Sequence, residues 1–183
     1  MKPRFLAILL LTTTMSFAQY EIHPEEGYSH DIGLMVAMLE DLKTRITEQV
    51  KDLDQTETDF RFDEHANSIG SLVMHLISTE AYYQIESLEG RQWTAEERKR
   101  LGIAGELNDE VKNMLQGEPI EHYLDLWDEV RQKTLAGLKT KDDIWFASEI
   151  DEGLNYHYVW YHVMEHQANH MGQIALVKNR LPK

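Results

Sequence analysis

Three histidines near the carboxyl end of the sequence have the spacing of metal ligands. His162, His166 and His170 follow one another at intervals of four residues in YHVMEHQANHMGQIALVK. Four residues is just over one turn of an α-helix, so His166 and His170 project from the same face of a helix. Two imidazoles arranged in this way can bind one divalent cation, and a third ligand from another helix would complete an open site. The spacing therefore predicts a metal centre.

The same segment contains a competing motif. His162, Glu165 and His166 spell H-x-x-E-H, which is typical of inverted zinc peptidases that use both histidines as ligands and the glutamate as general base. That mechanism needs a further acidic ligand downstream, and no Asp or Glu follows Glu165. His162 also lies about 80° away from His170 around a helix axis. We therefore interpret His162 as a neighbour of the site and not as a ligand.

A third ligand can come from a second amphipathic segment. His75 stands among apolar residues, about eight positions into a helix predicted to begin after Asn67 and Ser68, which are both good N-caps. With a rise of about 1.5 Å per residue, His75 reaches the level of His166 and His170 if the two helices are antiparallel. A histidine among apolar residues is, however, more commonly a hydrogen-bonded core residue than a ligand. The spacing alone leaves both interpretations of His75 open.

Four long amphipathic helices must position these side chains. Apolar periodicity and capping residues predict them over about 29–52, 69–88, 120–138 and 155–180. The connection over 89–118 contains a capping-box pair, Thr94 and Glu97, and is long enough to cross the length of a bundle. Helices two and three can then run parallel, while one with two and three with four are antiparallel. Residues 139–154 are predicted to be a loop.

The first eighteen residues have the pattern of a secretory signal peptide. A basic start precedes an apolar run over 5–11, and a small-x-small sequence ends at Ala18. The run is far shorter than the roughly 20 residues that a membrane span needs, so we expect no stable membrane insertion. We expect cleavage near Ala18, export to the periplasm or the medium, and a short extension over 19–28 before the folded domain.

The composition excludes several classes of function. The chain has 32 acidic and 18 basic residues, and its formal net charge of −14 repels phosphate backbones, so we expect no nucleic-acid partner. The chain has no cysteine, which excludes thiolate nucleophiles and thiolate metal ligands. A transition metal must therefore use His and carboxylate ligands; zinc is the leading candidate, and nickel, iron and copper also suit imidazole. The oligomeric state is left open, and a homodimer is compatible with the sequence.

Two segments carry a resemblance to a known family. The sequences NSIGSLVMHLISTE at 67–80 and HVMEHQANHMGQI at 162–174 resemble the DinB/YfiT-like family of bacterial metalloproteins. The resemblance extends over about 29–182, and the G-Q-I sequence follows the histidine pair at the family's spacing. It implies an all-α four-helix bundle with up-down-down-up topology and a long crossover between helices two and three.

The resemblance also implies a three-histidine site for a divalent metal. The family's ligands correspond to His75, His166 and His170. The family often has a histidine where this chain has Asn169 and a basic residue where it has Met171, which alters the surroundings of the metal without removing a ligand. Three neighbours are candidates for hydrogen bonds to the ligands: His162, Asn169 and Gln173.

Three imidazole ligands would leave coordination positions for water or substrate, as in catalytic zinc sites. Characterised relatives include thiol-dependent transferases and isomerases, so the resemblance implies a small-molecule substrate. A metal-dependent hydrolase that acts through metal-bound water is compatible with the same ligands. The alternative is a non-catalytic metal-binding or stress-related bundle protein, whose metal site would be closed to solvent.

Overall fold

The computed structural model describes residues 21–182, and most of this part of the chain is helical. The predicted signal peptide, 1–18, lies outside the described residues. The helices, in chain order, are α1 (His30–Val50), α2 (Gln55–Asp59), α3 (Ile69–Tyr83), α4 (Ala95–Arg100), α5 (Asp109–Met114), α6 (Ile120–Leu138), α7 (Asp143–Ala147) and α8 (Tyr156–Lys178). A π-helical turn, Gln84–Glu89, continues α3, and a 3-10 turn spans Gly102–Ala104. Strands β1 (Glu149–Asp151) and β2 (Leu154–Asn155) form an antiparallel hairpin before α8.

The four long helices α1, α3, α6 and α8 begin within one residue of their predicted starts. The Ser68 side chain accepts a hydrogen bond from the backbone of Ser71 at the start of α3, and Asn155 does the same for α8. Pro119 is the N-cap of α6. The Ser68 and Asn155 side chains thereby satisfy amide groups that would otherwise lack a partner in the first turn. The predicted capping box at Thr94 and Glu97 is present and begins α4.

The prediction of a loop over 139–154 is wrong, because this segment contains α7 and the hairpin. Asp142 caps α7 through a 2.8 Å hydrogen bond from the Trp145 amide. Asp143 then accepts hydrogen bonds from the Ser29 hydroxyl at 2.6 Å and from the Asp31 amide at 3.0 Å, which closes the start of α1. A five-residue helix and strands of two or three residues are too short to produce a recognisable apolar period.

The long helices pack side by side around an apolar core. Helix α3 packs against α6 and α8, and α1 packs against the same two helices. The core is divided into two apolar clusters, one centred on α3 and α6 and the other on α1, α7 and the start of α8. In the part of the chain from 21 to 182, no helix is both long enough and apolar enough to cross a membrane.

A buried ion pair, which no pattern in the sequence predicted, joins the four long helices. Arg131 donates from Nε and Nη2 to the two carboxylate oxygens of Glu80, at 2.7 and 2.8 Å. Trp127 and Gln167 also donate to Glu80, while Arg131 donates to the Leu39 carbonyl of α1. Burial, the largest single influence, would raise the pKa of Glu80, but the Arg131 charge and the hydrogen bonds from Arg131 and Trp127 together outweigh it and hold that pKa below its usual value.

Candidate metal centre

The structure brings three histidines from two helices together. The Nε2 atom of His166 lies 3.0 Å from Nε2 of His75 and 3.0 Å from Nε2 of His170. Helix α8 supplies two of these rings from one face, as expected for residues four apart, and α3 supplies the third. Together they offer three ligand atoms within 4.8 Å of one another, a group that could hold a metal ion.

Hydrogen bonds on the far side of the rings orient two of the three histidines. The Nδ1 atom of His75 lies 2.6 Å from the Ala104 carbonyl oxygen. A carbonyl can only accept, so Nδ1 carries the proton and Nε2 presents a lone pair. The Nδ1 atom of His170 is 3.0 Å from Oε1 of Gln173, which favours the same tautomer. Nδ1 of His166 is buried and has no hydrogen-bond partner among residues 21–182.

The charge state of the rings fits a bound cation. Burial, together with the neighbouring His170 and His75, lowers the pKa of His166 to about 3. Burial also lowers the pKa of His170. In neutral rings, a proton on Nε2 of His166 can be donated to only one of its two neighbours, and the lone pair of the other neighbour is left without a partner. A divalent cation satisfies all three atoms at once.

The distances between the ring nitrogens agree with this fit. Tetrahedral zinc with Zn–N bonds of about 2.0–2.1 Å separates its ligand nitrogens by about 3.3–3.4 Å. The 3.0 Å separations around His166 differ from that value by only a few tenths of an ångström. The ligand atoms of His75 and His170 lie within 4.8 Å of each other, so side-chain movement that draws these two rings together would complete the coordination geometry.

A pocket of about 510 Å³ opens beside the three histidines. His75 and His166 line it directly, so the face of the cluster that carries them is open to a small molecule. The pocket lies between α3, α8 and the connection that follows α3. Its other lining residues are Ser78, Thr79, Tyr82, Tyr83, Gln92, Trp93, Arg98, Gly102, Gly105 and His162.

The three predicted neighbours of the ligands occupy different positions. Gln173 is hydrogen-bonded to His170, as described above. His162 lines the pocket, with its ring centroid 5.9 Å from that of His166 and its Nδ1 3.6 Å from a Glu165 carboxylate oxygen. Asn169 is exposed, and its side chain has no hydrogen bond within the described part of the chain. Only Gln173 therefore hydrogen-bonds to one of the three clustered histidines.

The outer wall of the pocket was not predicted. It comes from the connection between α3 and α6, which is attached to α3 at two points. At the first point, the Ala104 carbonyl accepts a hydrogen bond from Nδ1 of His75. One helical turn further along α3, the Ser78 hydroxyl donates to the Leu101 carbonyl. The sequence contained one indication of this wall, because Ser78 places a second polar group three residues after His75, on the same face of an apolar helix. The partners are backbone carbonyls, which no residue type reveals.

Comparisons with known proteins identify the family. No curated protein matches the sequence. Among solved structures, the chain is similar to a conserved protein from Enterococcus faecalis, with 14% identity, a TM-score of 0.65, and coverage of 80% of this chain and 94% of that one. At this identity the similarity concerns the fold alone. The profile of the family described as Mycothiol-S-transferase matches residues 34–182, which include all three clustered histidines and the pocket. The chain therefore belongs to the mycothiol-S-transferase family, within the DinB/YfiT-like superfamily.

Proposed function

We propose that the protein is a metal-dependent S-transferase that joins a low-molecular-weight thiol, such as mycothiol, to a small electrophile. The observation that carries this proposal is the convergence of three imidazole nitrogens beside an open pocket of about 510 Å³. The family name supplies the class of reaction. A site that a small molecule can reach suits catalysis, whereas a structural metal site is closed by its protein ligands.

We assign His75, His166 and His170 as the metal ligands and zinc as the leading candidate for the cation. A bound divalent cation would lower the pKa of a thiol that reaches it, and so supply a thiolate at neutral pH. The chain contributes preorganisation, because Ala104 and Gln173 hold the rings of His75 and His170 with Nε2 facing inward. During transfer, sulfur forms a bond to the electrophilic carbon, the leaving group departs with its bonding electrons, and the thiol proton passes to solvent.

We also propose that the long helices form an up-down-down-up bundle within a domain over 29–182. Between α3 and α8, His75 contacts His170 while Tyr83 contacts His162, and this reversed order is that of antiparallel helices. Between α3 and α6, successive contacts advance along both helices together, as in a parallel pair. Between α1 and α6 the order is reversed. These three relations support the proposed topology.

Thiol conjugation is the direct test of the proposed function. Zinc-loaded protein is expected to accelerate the reaction of mycothiol with monochlorobimane, releasing chloride and forming a fluorescent thioether. Chelation should return the rate to the uncatalysed value, and added zinc should restore it, because the reactive thiolate depends on the cation. The exposed His122 lies outside the site, so His122→Gln serves as the active control.

Absence of conjugation over a defined set of thiols and metals would contradict the proposed function. Mycothiol, cysteine and glutathione would each be tested with protein loaded with zinc, nickel, iron or copper. A rate no higher than the uncatalysed rate in all of these combinations would eliminate the transferase. Unchanged activity after complete removal of the metal would eliminate its metal dependence.

We propose, finally, that the protein is exported. The basis is the basic start, the apolar run over 5–11 and the small residues Ser16 and Ala18 at the expected cleavage site. Mass spectrometry of protein recovered from cells is expected to find an amino terminus at Gln19 or within a few residues of it. The variant Ala18→Lys should accumulate uncleaved, because the peptidase accepts small residues there. Intact Met1 on the recovered parent protein would disprove export by this route.

A further inference from the structure

The pocket contains a cationic side chain that the protein itself does not neutralise. The Arg98 side chain lines the pocket, is exposed, and forms no ion pair or hydrogen bond within residues 21–182. Lys99 also has no ion pair or hydrogen bond in this region, but it lines a different cavity on the other side of the connection. Lys139, Lys141 and Arg180 lack them too, but each lies over an aromatic ring. The remaining basic side chains each contact an oxygen atom or an aromatic ring.

Glu97, the residue before Arg98, and Glu86, on the turn before the connection, both have other partners. Glu97 forms a double hydrogen bond with Arg91, at 2.6 and 2.7 Å, and also caps the start of α4. Glu86, on the π-helical turn, accepts a hydrogen bond from the Tyr82 hydroxyl. The guanidinium of Arg98 is therefore available to a ligand. In a chain with a net charge of −14, it is a local exception to a surface that repels anions.

Two aromatic rings accompany Arg98 in the wall of the pocket. The rings of Tyr82 and Trp93 are stacked, with centroids 6.5 Å apart and an interplanar angle of 20°. Tyr82 is 40% exposed although it is a large aromatic residue, so part of its ring remains available for contact. Flat aromatic surfaces bind planar apolar groups, and a guanidinium binds carboxylates and sulfonates through paired hydrogen bonds. This combination suits a flat molecule that carries an acidic group.

We propose that Arg98, Tyr82 and Trp93 form a subsite for an acidic, planar electrophile. Arg98 binds the acidic group, the two rings contact the planar body, and the electrophilic carbon faces the three histidines. This inference rests on the proposed function and names the class of its second substrate. The acidic group could instead belong to the thiol, and the experiments below separate these two sources.

Ligand binding tests the subsite without any turnover. Naphthalene-2-sulfonate has a planar body and an anionic group that is a poor metal ligand, so its binding to zinc-loaded protein reports on the pocket. By isothermal titration calorimetry, Arg98→Gln is expected to bind it about tenfold more weakly than the parent protein, through loss of a charge-assisted hydrogen bond. Lys99→Gln is the matched control, and its affinity should be unchanged. Neutral 2-(methylsulfonyl)naphthalene, which has no ionisable N–H to bind zinc, should bind the parent and Arg98→Gln proteins equally.

Two results of the binding experiment would overturn the subsite. Equal affinity of the parent and Arg98→Gln proteins for the sulfonate would show that Arg98 does not bind the anion. An equal loss of affinity in Arg98→Gln and Lys99→Gln would show that sulfonate binding depends on the net charge of the connection and not on a contact with Arg98. Because Arg98 is exposed and has no partner within residues 21–182, its replacement should leave the fold intact, which circular dichroism would check.

Kinetics with two aryl chlorides identify which substrate carries the acid. The acidic chloride is chloronitrobenzoate, with chlorine para to the carboxylate, and the neutral chloride is chlorodinitrobenzene. In both, sulfur replaces chloride, which leaves with its bonding electrons, and the thiol proton passes to solvent. We expect Arg98→Gln to weaken apparent binding of the acidic chloride, seen as a rise of about tenfold in its KM. The turnover number, and the KM values for the thiol and the neutral chloride, should be unchanged. A rise in KM for the thiol alone would overturn the assignment to the electrophile.

The two sets of measurements also separate this inference from the proposed function. Sulfonate binding that depends on Arg98, in a protein that conjugates no thiol, would retain the subsite and reject the transferase. Metal-dependent conjugation in which Arg98→Gln changes neither sulfonate binding nor any KM would retain the transferase and reject the subsite.

Discussion

The His166→Gln protein is expected to retain less than about a tenth of the zinc that the parent protein binds. His166 is the central member of the cluster, since its Nε2 lies 3.0 Å from Nε2 of both His75 and His170. Without it, two ligands on different helices remain, and a cation held by two imidazoles exchanges readily with solvent. Elemental analysis of untagged protein, after dialysis against zinc-free buffer, measures this loss.

His162→Gln is the matched control for that experiment. His162 lies on the same helix, lines the same pocket and is one turn before His166, but its ring is not part of the cluster. Its replacement should leave the zinc content near that of the parent protein. Equal losses in the two variants would mean that the ligand register is wrong, and the H-x-x-E-H interpretation would have to be reopened.

The same variants should differ in thermal stability. A cation that binds only the folded state raises the melting temperature, by an amount that grows with its concentration relative to the dissociation constant. Zinc should therefore raise the melting temperature of the parent and His162→Gln proteins, and have little effect on His166→Gln. His75→Gln should behave as His166→Gln does, which would show that the cation links α3 to α8.

The Glu80→Ala protein is expected to lose about 3–5 kcal/mol of unfolding free energy. The substitution leaves the Arg131 guanidinium buried without its carboxylate partner from α3, and it removes the acceptor used by Trp127 and Gln167. Both members of the ion pair are nearly inaccessible, with side-chain exposures of 0% for Glu80 and 2% for Arg131, so water cannot replace the lost partner. Urea denaturation followed by circular dichroism measures the change.

The control for Glu80→Ala is a substitution in an ion pair at the surface. Glu129 binds Arg100 between α6 and α4, with side chains that are 38% and 51% exposed. Replacing it by glutamine should cost no more than about 1 kcal/mol, because solvent screens both charges. A loss for Glu80→Ala of the same size as that for Glu129→Gln would show that the buried network contributes no more than a surface pair.

We expect acid to reduce the contribution of the Glu80–Arg131 pair to the free energy of unfolding. Because the pKa of Glu80 is held below its usual value in the folded protein, its contribution to stability is fully present at neutral pH. It is then lost as the pH falls below the ordinary glutamate pKa towards the lower value of the folded state. The difference in unfolding free energy between the parent and Glu80→Ala proteins should accordingly narrow in acid.

The long helices could be predicted because each carries several turns of apolar periodicity, and three of them follow a residue that favours a helix start. The structure places α3 after Ser68, α6 after Pro119 and α8 after Asn155, in agreement with the sequence. The short helices α2 and α7 were not predicted, and the capping box indicated short helical turns over 89–118 without placing α5. A helix of five or six residues has too few turns for a period, and its existence depends on neighbours that are distant in sequence.

The histidine cluster and the buried ion pair differ in how far sequence could reveal them. The spacing of His166 and His170 already places both on one helical face, and the resemblance at 67–80 indicated His75 as their partner. Glu80 and Arg131, by contrast, are single charged residues in separate helices. Nothing in their own surroundings shows that they meet until the register between α3 and α6 is known. The pocket wall could not be predicted from the sequence for a similar reason, since it depends on the path of the connection between α3 and α6.

The contact between His75 and the Ala104 carbonyl has a consequence for how relatives of this protein can diverge. A backbone carbonyl is present whatever residue occupies position 104, so small side chains can be exchanged there without loss of the contact. Insertions or deletions close to it would displace the oxygen and turn the imidazole. The stretch from Gln92 to Arg98 forms another part of the same wall and is free of that constraint. Substitutions in that stretch can thus change which molecules enter the pocket. If the length of chain that leads to Ala104 is conserved, the orientation of His75 is retained.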